Sequence, residues 1–266
     1  MPTRETAPVG SPCWVDLWTS DTEGSRKFYA ELFGWEAQEP SPEFGGYFMF
    51  TRNGVPVAGG MGDMGEMRAN NTWKVFLASD DAAKTVEMAE AAGAQVVGPP
   101  MDIADLGAQA VLVDPTGATL GVWEPRAFPG LTVLAEHGTA SWFELLTRDY
   151  KTAVDFYRSV FHWDTKVVSD TDEFRYTIMQ GPGSDEMLAG IMDASGFLAE
   201  HCPAAWSVYF GVDDADAAAA RIVELGGSIV RAPEDTPYGR LATAADPSGA
   251  QFKLVAPNEA MPARAS

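Results

Sequence analysis

Two copies of one aromatic octet constrain this chain more than any other feature of its sequence. "FYAELFGW" occupies 28–35 and "FYRSVFHW" occupies 156–163, with Phe, Tyr, Phe and Trp at matching places. Three further pairs recur at a similar distance: "WVDLWTSD" with "WFELLTRD", "WKVFLASDDA" with "WSVYFGVDDA", and "DPTGATLGVWEP" with "DPSGAQFKLVAP". A recurring internal period indicates a duplicated architecture. We therefore predict two similar domains, 1–128 and 129–266, joined where Pro and Gly interrupt the pattern in 124–139.

Each half is in turn predicted to contain two similar units. Four segments share one form, a Trp seven positions before an Asp, and they begin at Trp14, Trp73, Trp142 and Trp206. A helix-like stretch follows each segment, and short β-like runs with turn signals follow each helix. We therefore predict an α+β fold of four βαβββ modules. The octet is the apolar face of the helix in the first module of each half, and we predict that this face belongs to the core.

The charge of the chain excludes several classes of partner. Lys and Arg total 18 against 38 Asp and Glu, which gives a formal net charge of −20. Nucleic acid and anionic membrane surfaces need basic residues, so neither is an expected partner. No apolar run approaches the roughly 20 residues that span a bilayer, and no secretion signal is evident. We expect a cytoplasmic protein whose partner is a small molecule.

A βαβββ unit used in pairs, with "DPTGA" or "DPSGA" before its last strand, resembles the vicinal oxygen chelate superfamily. That superfamily includes glyoxalase I, extradiol dioxygenases and bleomycin-resistance proteins. The resemblance covers about residues 10–257. The tandem arrangement is similar to an actinobacterial glyoxalase-like group related to a mycobacterial antigen, with relatives in aromatic polyketide biosynthesis. The resemblance implies two glyoxalase-like domains with cup-shaped mixed sheets, and a chain that is a monomer or a homodimer.

The superfamily's metal ligands are His, Gln or Glu on the first strand of each module and on the last strand. The first-strand position falls on Trp14, Trp73, Trp142 and Trp206, and the last-strand position falls on Gly121 and Lys253. Trp and Gly do not ligate divalent metals and Lys does so rarely. The three histidines, at 137, 162 and 201, lie outside these positions. We therefore predict no metal and no other cofactor, and the superfamily's metal-dependent reactions are disfavoured.

Strand alternation indicates which side chains line each cup. If Trp14 faces inward, Asp16 and Trp18 do so as well, and Trp142 and Glu144 are their counterparts in the second half. The predicted ligand-binding residues are Trp14, Trp18, Trp73, Gly121, Trp123, Trp142, Trp206, Arg240 and Lys253. Two alternatives stay open: the indoles fill the cups, or a pocket for a flat apolar ligand survives. Gly121 leaves room and so favours a pocket in the first half.

The two carboxylates, Asp16 and Glu144, are the candidate catalytic residues. They act as general bases if burial raises their pKa, or else they serve as structural hydrogen-bond acceptors. Lys253 is placed to pair with Glu144. Arg240 lies on the strand that approaches the second cup, where it either recognises an anion or belongs to the surface. The Met-rich segment 61–67 is expected to cover a sheet edge or a pocket mouth.

Three functions remain open from the sequence. The favoured one is a metal-independent protein that binds a small, aromatic metabolite in a Trp-lined cup. The alternative is a tailoring enzyme or accessory factor of secondary metabolism, of hydroxylase or lyase type. The third is a metal-dependent glyoxalase-type lyase or dioxygenase with relocated ligands. Whether the chain catalyses any reaction is left open, with a binding protein favoured.

Overall fold

A computed structural model describes residues 4–63 and 69–261, which form two eight-stranded mixed sheets and four α-helices. The strands of the first sheet are β1 (Pro12–Trp18), β2 (Glu36–Ala37), β3 (Phe48–Arg52), β4 (Val55–Met61), β5 (Thr72–Ala78), β6 (Gln95–Ile103), β7 (Gly107–Val113) and β8 (Thr119–Pro125). Those of the second are β9 (Ala140–Thr147), β10 (Asp164–Asp170), β11 (Arg175–Gln180), β12 (Met187–Asp193), β13 (Ala205–Gly211), β14 (Ser228–Thr236), β15 (Gly239–Ala245) and β16 (Gln251–Ala256). The two orders, β2-β3-β4-β1-β5-β8-β7-β6 and β10-β11-β12-β9-β13-β16-β15-β14, match strand for strand.

Each helix begins after an Asp whose carboxylate accepts a backbone N–H of the first turn, which satisfies a donor that the helix itself leaves free. The helices are α1 (Thr22–Phe33), α2 (Ala82–Ala91), α3 (Tyr150–Phe161) and α4 (Ala215–Glu224), and their capping residues are Asp21, Asp81, Asp149 and Asp214. A short 3₁₀ helix, Pro42–Phe44, precedes β3. The order strand, helix, three strands occurs four times, so the prediction of an α+β fold built from four βαβββ modules is confirmed.

The first strands of paired modules are antiparallel neighbours at the centre of each sheet, β1 with β5 and β9 with β13. Each first strand also runs parallel to the last strand of its own module. The residues that alternate along these strands separate the two faces of each sheet. We call the face that packs on the helices the helix face and the opposite one the cup face.

The helix faces of both sheets share one hydrophobic core. Phe210 of β13 lies 5.3 Å from Trp73 of β5 and 5.3 Å from Phe33 of α1, measured between ring centroids. The octet contributes to this core, since Phe28, Tyr29, Phe33 and Trp35 are all buried, as predicted. Because the sheets meet through their helix faces, the two cup faces lie on opposite sides of the molecule.

The octet tyrosines also connect the two halves. Tyr29 donates a hydrogen bond to the Asp246 carboxylate (3.2 Å), and Tyr157 donates one to Asp114 (2.8 Å). Both carboxylates belong to the Asp-Pro turns that precede the last strand of a module in the opposite half. The octet of each half therefore contacts the Asp-Pro turn of the other half, in the same way in both directions.

Among the described residues there is no helix of the length and apolarity that crossing a bilayer requires. Residues 64–67 of the Met-rich segment lie outside the described residues, so its expected covering role stays a prediction.

Candidate functional site

Strand β1 places three side chains on the cup face of the first sheet. Trp14, Asp16 and Trp18 are opposite Phe76, Lys74 and Thr72 of β5, whereas Val15 and Leu17 point into the shared core. Residues directly opposite each other in an antiparallel pair share one face. The first cup is therefore lined by Trp14, Asp16, Trp18, Lys74, Phe76, Gly121 and Trp123.

Asp16 is the polar centre of the first cup. Its Oδ1 accepts hydrogen bonds from Trp14 Nε1 (2.8 Å) and from the Tyr47 hydroxyl (2.8 Å). Gly59 makes this contact possible, because a Cβ there would lie 1.9 Å from the Tyr47 oxygen. Burial raises the pKa of the Asp16 carboxyl, and the two hydrogen bonds and the charge of Lys74 only partly oppose that rise.

The remaining space of the first cup is filled by aromatic rings. The Phe76 ring lies directly over Gly121, where a Cβ would be 2.1 Å from its nearest carbon. Phe128, in the segment that joins the halves, packs edge-on against Trp14 at 4.8 Å and against Trp123 at 6.0 Å. The expectation that Gly121 leaves room for a ligand is therefore wrong, because the side chain opposite it on β5 occupies that room.

The second cup has the same centre with a different cation. It is lined by Trp142, Glu144, Leu146, Ser207, Tyr209, Lys253 and Val255. Buried Glu144 accepts hydrogen bonds from Lys253 Nζ and from the Tyr209 hydroxyl (3.0 Å), so the predicted pair with Lys253 is confirmed. Trp142 Nε1 donates to the Tyr176 hydroxyl (2.9 Å), and Gly190 leaves the space for that hydroxyl. Burial and the Glu144 charge raise the pKa of Tyr176 and of Tyr209 above its usual range.

The second cup is more exposed than the first. Trp142 and Lys253 are half-buried, whereas Trp14 is 4% and Lys74 8% exposed. The cup tyrosines, Tyr47 and Tyr176, are half-buried in both halves. The difference between Trp14 and Trp142 has a local cause: Val255 occupies the position of Trp123, and residues 257–261, the described residues after β16, contain no counterpart of Phe128.

Two aromatic side chains extend this open surface outward. Phe174 stacks on Tyr176 with their centroids 5.7 Å apart, and it is 37% exposed. Tyr238, in the turn between β14 and β15, is 52% exposed and adds to the rise of the Tyr176 pKa. The second cup therefore presents aromatic surface around a buried ion pair.

Two of the predicted cup tryptophans lie on the opposite face. Trp73 is opposite Leu17 and Trp206 is opposite Leu145, so both point into the shared core. There Trp73 Nε1 donates to Tyr29 (3.1 Å) and Trp206 Nε1 donates to Tyr157 (2.8 Å). Their predicted place in a cup is wrong.

The helix caps explain that error. Trp14 and Trp142 lie seven residues before the capping Asp, but Trp73 and Trp206 lie eight residues before it. A shift of one residue moves a side chain to the other face of a strand. The residues that occupy the cup instead are Lys74 and Ser207, and the alternation of Trp73 with Val75 and Leu77 was the signal that pointed to them.

Arg240 is also outside the cups. It is opposite Ala256, one residue out of phase with cup-facing Val255, and its guanidinium pairs with Asp216 at the start of α4 (2.9 Å) and with Asp235 (3.0 Å). Its donors connect β15 to a helix and it does not face the second cup, so its role in ligand binding stays a prediction.

A divalent metal does not fit either cup. The first-strand and last-strand positions that face each cup hold Trp14, Lys74 and Gly121 in one half, and Trp142, Ser207 and Lys253 in the other. Each cup therefore has a single carboxylate, already in contact with N–H and O–H donors or a lysine. Residues 4–63 and 69–261 contain no cluster of three His, Cys, Asp or Glu that is suited to a metal. A metal site needs several such donors around one point.

Comparison with known proteins agrees with the duplicated architecture. Residues 14–123 match the model of a glyoxalase-like domain, and residues 139–254 match that of the glyoxalase/bleomycin resistance protein/dioxygenase superfamily. A putative glyoxylase, CFP32, of Mycobacterium bovis is 36% identical over 97% of this chain and 98% of its own length. An anthracycline biosynthesis protein, DauV, of a Streptomyces species is 37% identical over 96% of each chain.

The fold resembles that of solved metalloenzymes at low sequence identity. A Mn(II)-bound glyoxalase from Novosphingobium aromaticivorans superposes with a TM-score of 0.65 and 19% identity, over 94% of this chain and 82% of its own. At that identity, the likeness concerns the fold alone.

Proposed function

The chain belongs to the glyoxalase/bleomycin resistance protein/dioxygenase superfamily, but the residues that the structure describes offer no donor set for a metal. We propose that it binds a small aromatic metabolite in its second cup, independently of metal. The observation that carries this proposal is the asymmetry of the cups. Phe128 covers Trp14 and Trp123 in the first cup, where Trp18 stays half-buried, whereas the second cup leaves Trp142 half-buried beside the Glu144–Lys253 pair.

The exposed side chains indicate the chemistry of the ligand. Half-buried Trp142 and Tyr176, extended by Phe174 and Tyr238, offer faces and edges for a flat ring system. The Lys253 ammonium and the tyrosine hydroxyls can donate to carbonyl or phenol oxygens at the base of the cup. A quinone or polyphenol of the polyketide class combines these features. Biosynthesis of one such class, the anthracyclines, appears in the name of relatives that match along the whole chain.

The test is a titration of intrinsic tryptophan fluorescence with an anthracycline aglycone, in the presence of excess chelator. We expect saturable quenching at one ligand per chain. Trp142→Leu removes an aromatic contact and its buried area, so the Kd should rise at least about tenfold. Trp18→Leu is the matched control, because Trp18 is the half-buried tryptophan of the first cup, and it should leave the Kd unchanged.

Two results would refute the proposal. One is an aglycone Kd that is equally affected by Trp18→Leu and Trp142→Leu, which would place the ligand elsewhere. The other is binding that disappears with chelator and returns with Mn²⁺ or Zn²⁺, since a ligand held through metal needs donors that the cup does not supply.

A second candidate is a tailoring enzyme or accessory factor of secondary metabolism. It is favoured by the 37% identity to DauV over 96% of each chain. In such a role the Glu144–Lys253–Tyr209 group would exchange protons with the bound ligand. Incubation of the aglycone with wild type and with Glu144→Gln, followed by mass spectrometry, separates the candidates: a product lost in the variant supports an enzyme, and unchanged aglycone supports binding alone.

A further inference from the structure

Lys74 is a buried lysine that the proposed function does not use. It lies in the middle of β5, on the cup face, directly opposite Asp16. The residue is only 8% exposed. Lysines are seldom buried to this extent without an ion pair, because the ammonium loses its hydration.

The Lys74 amine has unusual neighbours. Its Nζ lies 4.1 Å from the centroid of the Trp18 ring and 6.0 Å from that of Phe76. Within 4–63 and 69–261, no oxygen accepts a hydrogen bond from it and no carboxylate lies within ion-pair distance. Lys253, the lysine of the second cup, donates instead to Glu144 and to Tyr209. One cup therefore has a closed ion pair and the other has an amine that is free to react.

Burial favours the uncharged form of both Lys74 and Asp16. It lowers the pKa of the Lys74 ammonium, a change that the nearby Asp16 charge only partly opposes, and it raises the pKa of the Asp16 carboxyl. Desolvation of a lysine in apolar surroundings is one way in which proteins make an amine nucleophilic. The lowered pKa increases the neutral fraction of the Lys74 amine, and the raised pKa increases the protonated fraction of the Asp16 carboxyl opposite it.

We propose that Lys74 is a nucleophile that captures small aldehydes as an imine in the first cup. The Nζ lone pair forms a bond to the carbonyl carbon, and the C=O π pair moves to oxygen. A proton passes from nitrogen to that oxygen, which gives a carbinolamine. The hydroxyl then leaves as water with a proton from Asp16 while the C=N bond forms. The nitrogen loses its remaining proton to the Asp16 carboxylate. The net change is amine plus aldehyde to imine plus water, so no oxidant or reductant is required.

The packing of the first cup restricts the size of the aldehyde. Phe76 covers Gly121, and Phe128 closes over Trp14 and Trp123, so the first cup has no room for a polycyclic ligand and the aldehyde of this proposal is a small one. This separates the inference from the proposed function, which concerns the other face of the molecule.

The test is reductive trapping on the intact chain. Wild-type protein is incubated at neutral pH with acetaldehyde and sodium cyanoborohydride, which reduces an imine to a stable ethylated lysine, and peptide mass spectrometry follows each lysine. Lys151, whose side chain is 87% exposed, is the internal reference. We expect Lys74 to be ethylated at least about tenfold faster than Lys151, because each unit of lowered pKa gives about ten times more neutral amine.

Unfolding and substitution supply the controls. In urea-unfolded protein the two rates should become similar, since the environment of Lys74 is then lost. In folded protein, tryptophan fluorescence should change on trapping, because ethylation alters the Lys74 amine beside Trp18. Lys74→Met should abolish that change and Lys151→Met should retain it. Ethylation of Lys74 that is slower than that of Lys151, or equally fast before and after unfolding, would overturn the inference. A Trp142→Leu variant should trap acetaldehyde normally, which distinguishes failure here from failure of the second-cup proposal.

Discussion

At the scale of residues, each cup is built around the same three groups. The first strand supplies a Trp and, two positions later, a carboxylate, and the hairpin later in the same module supplies a Tyr. These residues are Trp14, Asp16 and Tyr47 in one half, and Trp142, Glu144 and Tyr176 in the other. The lysine comes from different strands, as Lys74 of β5 and as Lys253 of β16. This one difference decides whether the carboxylate belongs to a closed ion pair.

Substitution of Lys253 should show how much the stability of the fold depends on its pairing with buried Glu144. Glu144 is buried and the Lys253 side chain is 13% exposed, so Lys253→Met leaves a buried carboxylate without its cation and should lower the free energy of unfolding by about 3 kcal/mol. Glu144→Gln combined with Lys253→Met should recover most of that loss, because no uncompensated charge remains. Urea denaturation measures both variants.

The matched control for these two variants is Lys151→Met, which breaks an exposed i,i+4 pair with Asp155 and should leave the free energy of unfolding close to that of wild type. A Lys253→Met variant as stable as Lys151→Met would contradict the view that buried Glu144 depends on its contact with Lys253.

The raised pKa of Asp16 predicts how its contribution to stability changes with pH. Because the folded pKa lies above the ordinary value of 3.8, the folded chain binds this proton more tightly than the unfolded chain does. The stability that Asp16 contributes is therefore present at low pH and is lost as pH rises through its folded pKa. The unfolding free energy of wild type minus that of Asp16→Asn should fall as the pH rises above the ordinary pKa of 3.8. A difference that stays constant or rises over that range would contradict the assignment.

At the scale of elements, the four modules have the same order of strands and helix, but the Trp of the first strand does not lie on the same face in all of them. The cup residue of the first strand lies seven positions before the helix cap in all four, but the conspicuous Trp is at that position only in β1 and β9. In β5 and β13 the Trp is displaced by one residue, into the core, where it contacts an octet tyrosine. Each Trp has an Asp seven residues after it, but in the second module of each half the helix cap is the next Asp, so the same Trp-to-Asp spacing corresponds to opposite faces.

Local patterns in the sequence predicted the modules and the apolar helix faces, because period and alternation act over a few residues. The Lys253–Glu144 pair joins residues 109 apart, and its prediction depended on the last-strand position that the resemblance to the superfamily implies. The local patterns did not predict that Phe76 fills the space at Gly121 or that Phe128 closes the first cup. Those contacts depend on strand register and on the path of the joining segment. Tyr47 lies 31 residues from Asp16, and no short-range signal connects them.

The contact of Tyr157 with Asp114, which joins the two halves, predicts how much stability is lost when the Tyr157 hydroxyl is removed. Tyr157 is fully buried, donates to Asp114 and accepts from Trp206, so Tyr157→Phe leaves two polar groups unsatisfied in the core. The free energy of unfolding should fall by about 2–3 kcal/mol, measured by urea denaturation. Tyr238→Phe, at an exposed turn, is the control and should cost less than about 0.5 kcal/mol. Equal costs for the two variants would show that the Tyr157–Asp114 contact contributes nothing to joining the halves.

At the scale of the whole molecule, duplication has given one chain two outward-facing cups on a shared core. Rings and an isolated lysine occupy one cup, and the other remains open around an ion pair. Because the helix faces hold the halves together, either cup can change without loss of the core. This explains how a chain can retain the superfamily's fold while its cups lack the donors for a metal.

The measurement that tests this account most directly is native mass spectrometry of the chelator-treated and untreated protein with an anthracycline aglycone, with metal analysis of the same samples. We predict one aglycone per chain in both samples, no stoichiometric divalent metal in either, and loss of the complex in Trp142→Leu. One divalent ion per half, together with aglycone binding that chelation removes, would contradict the account.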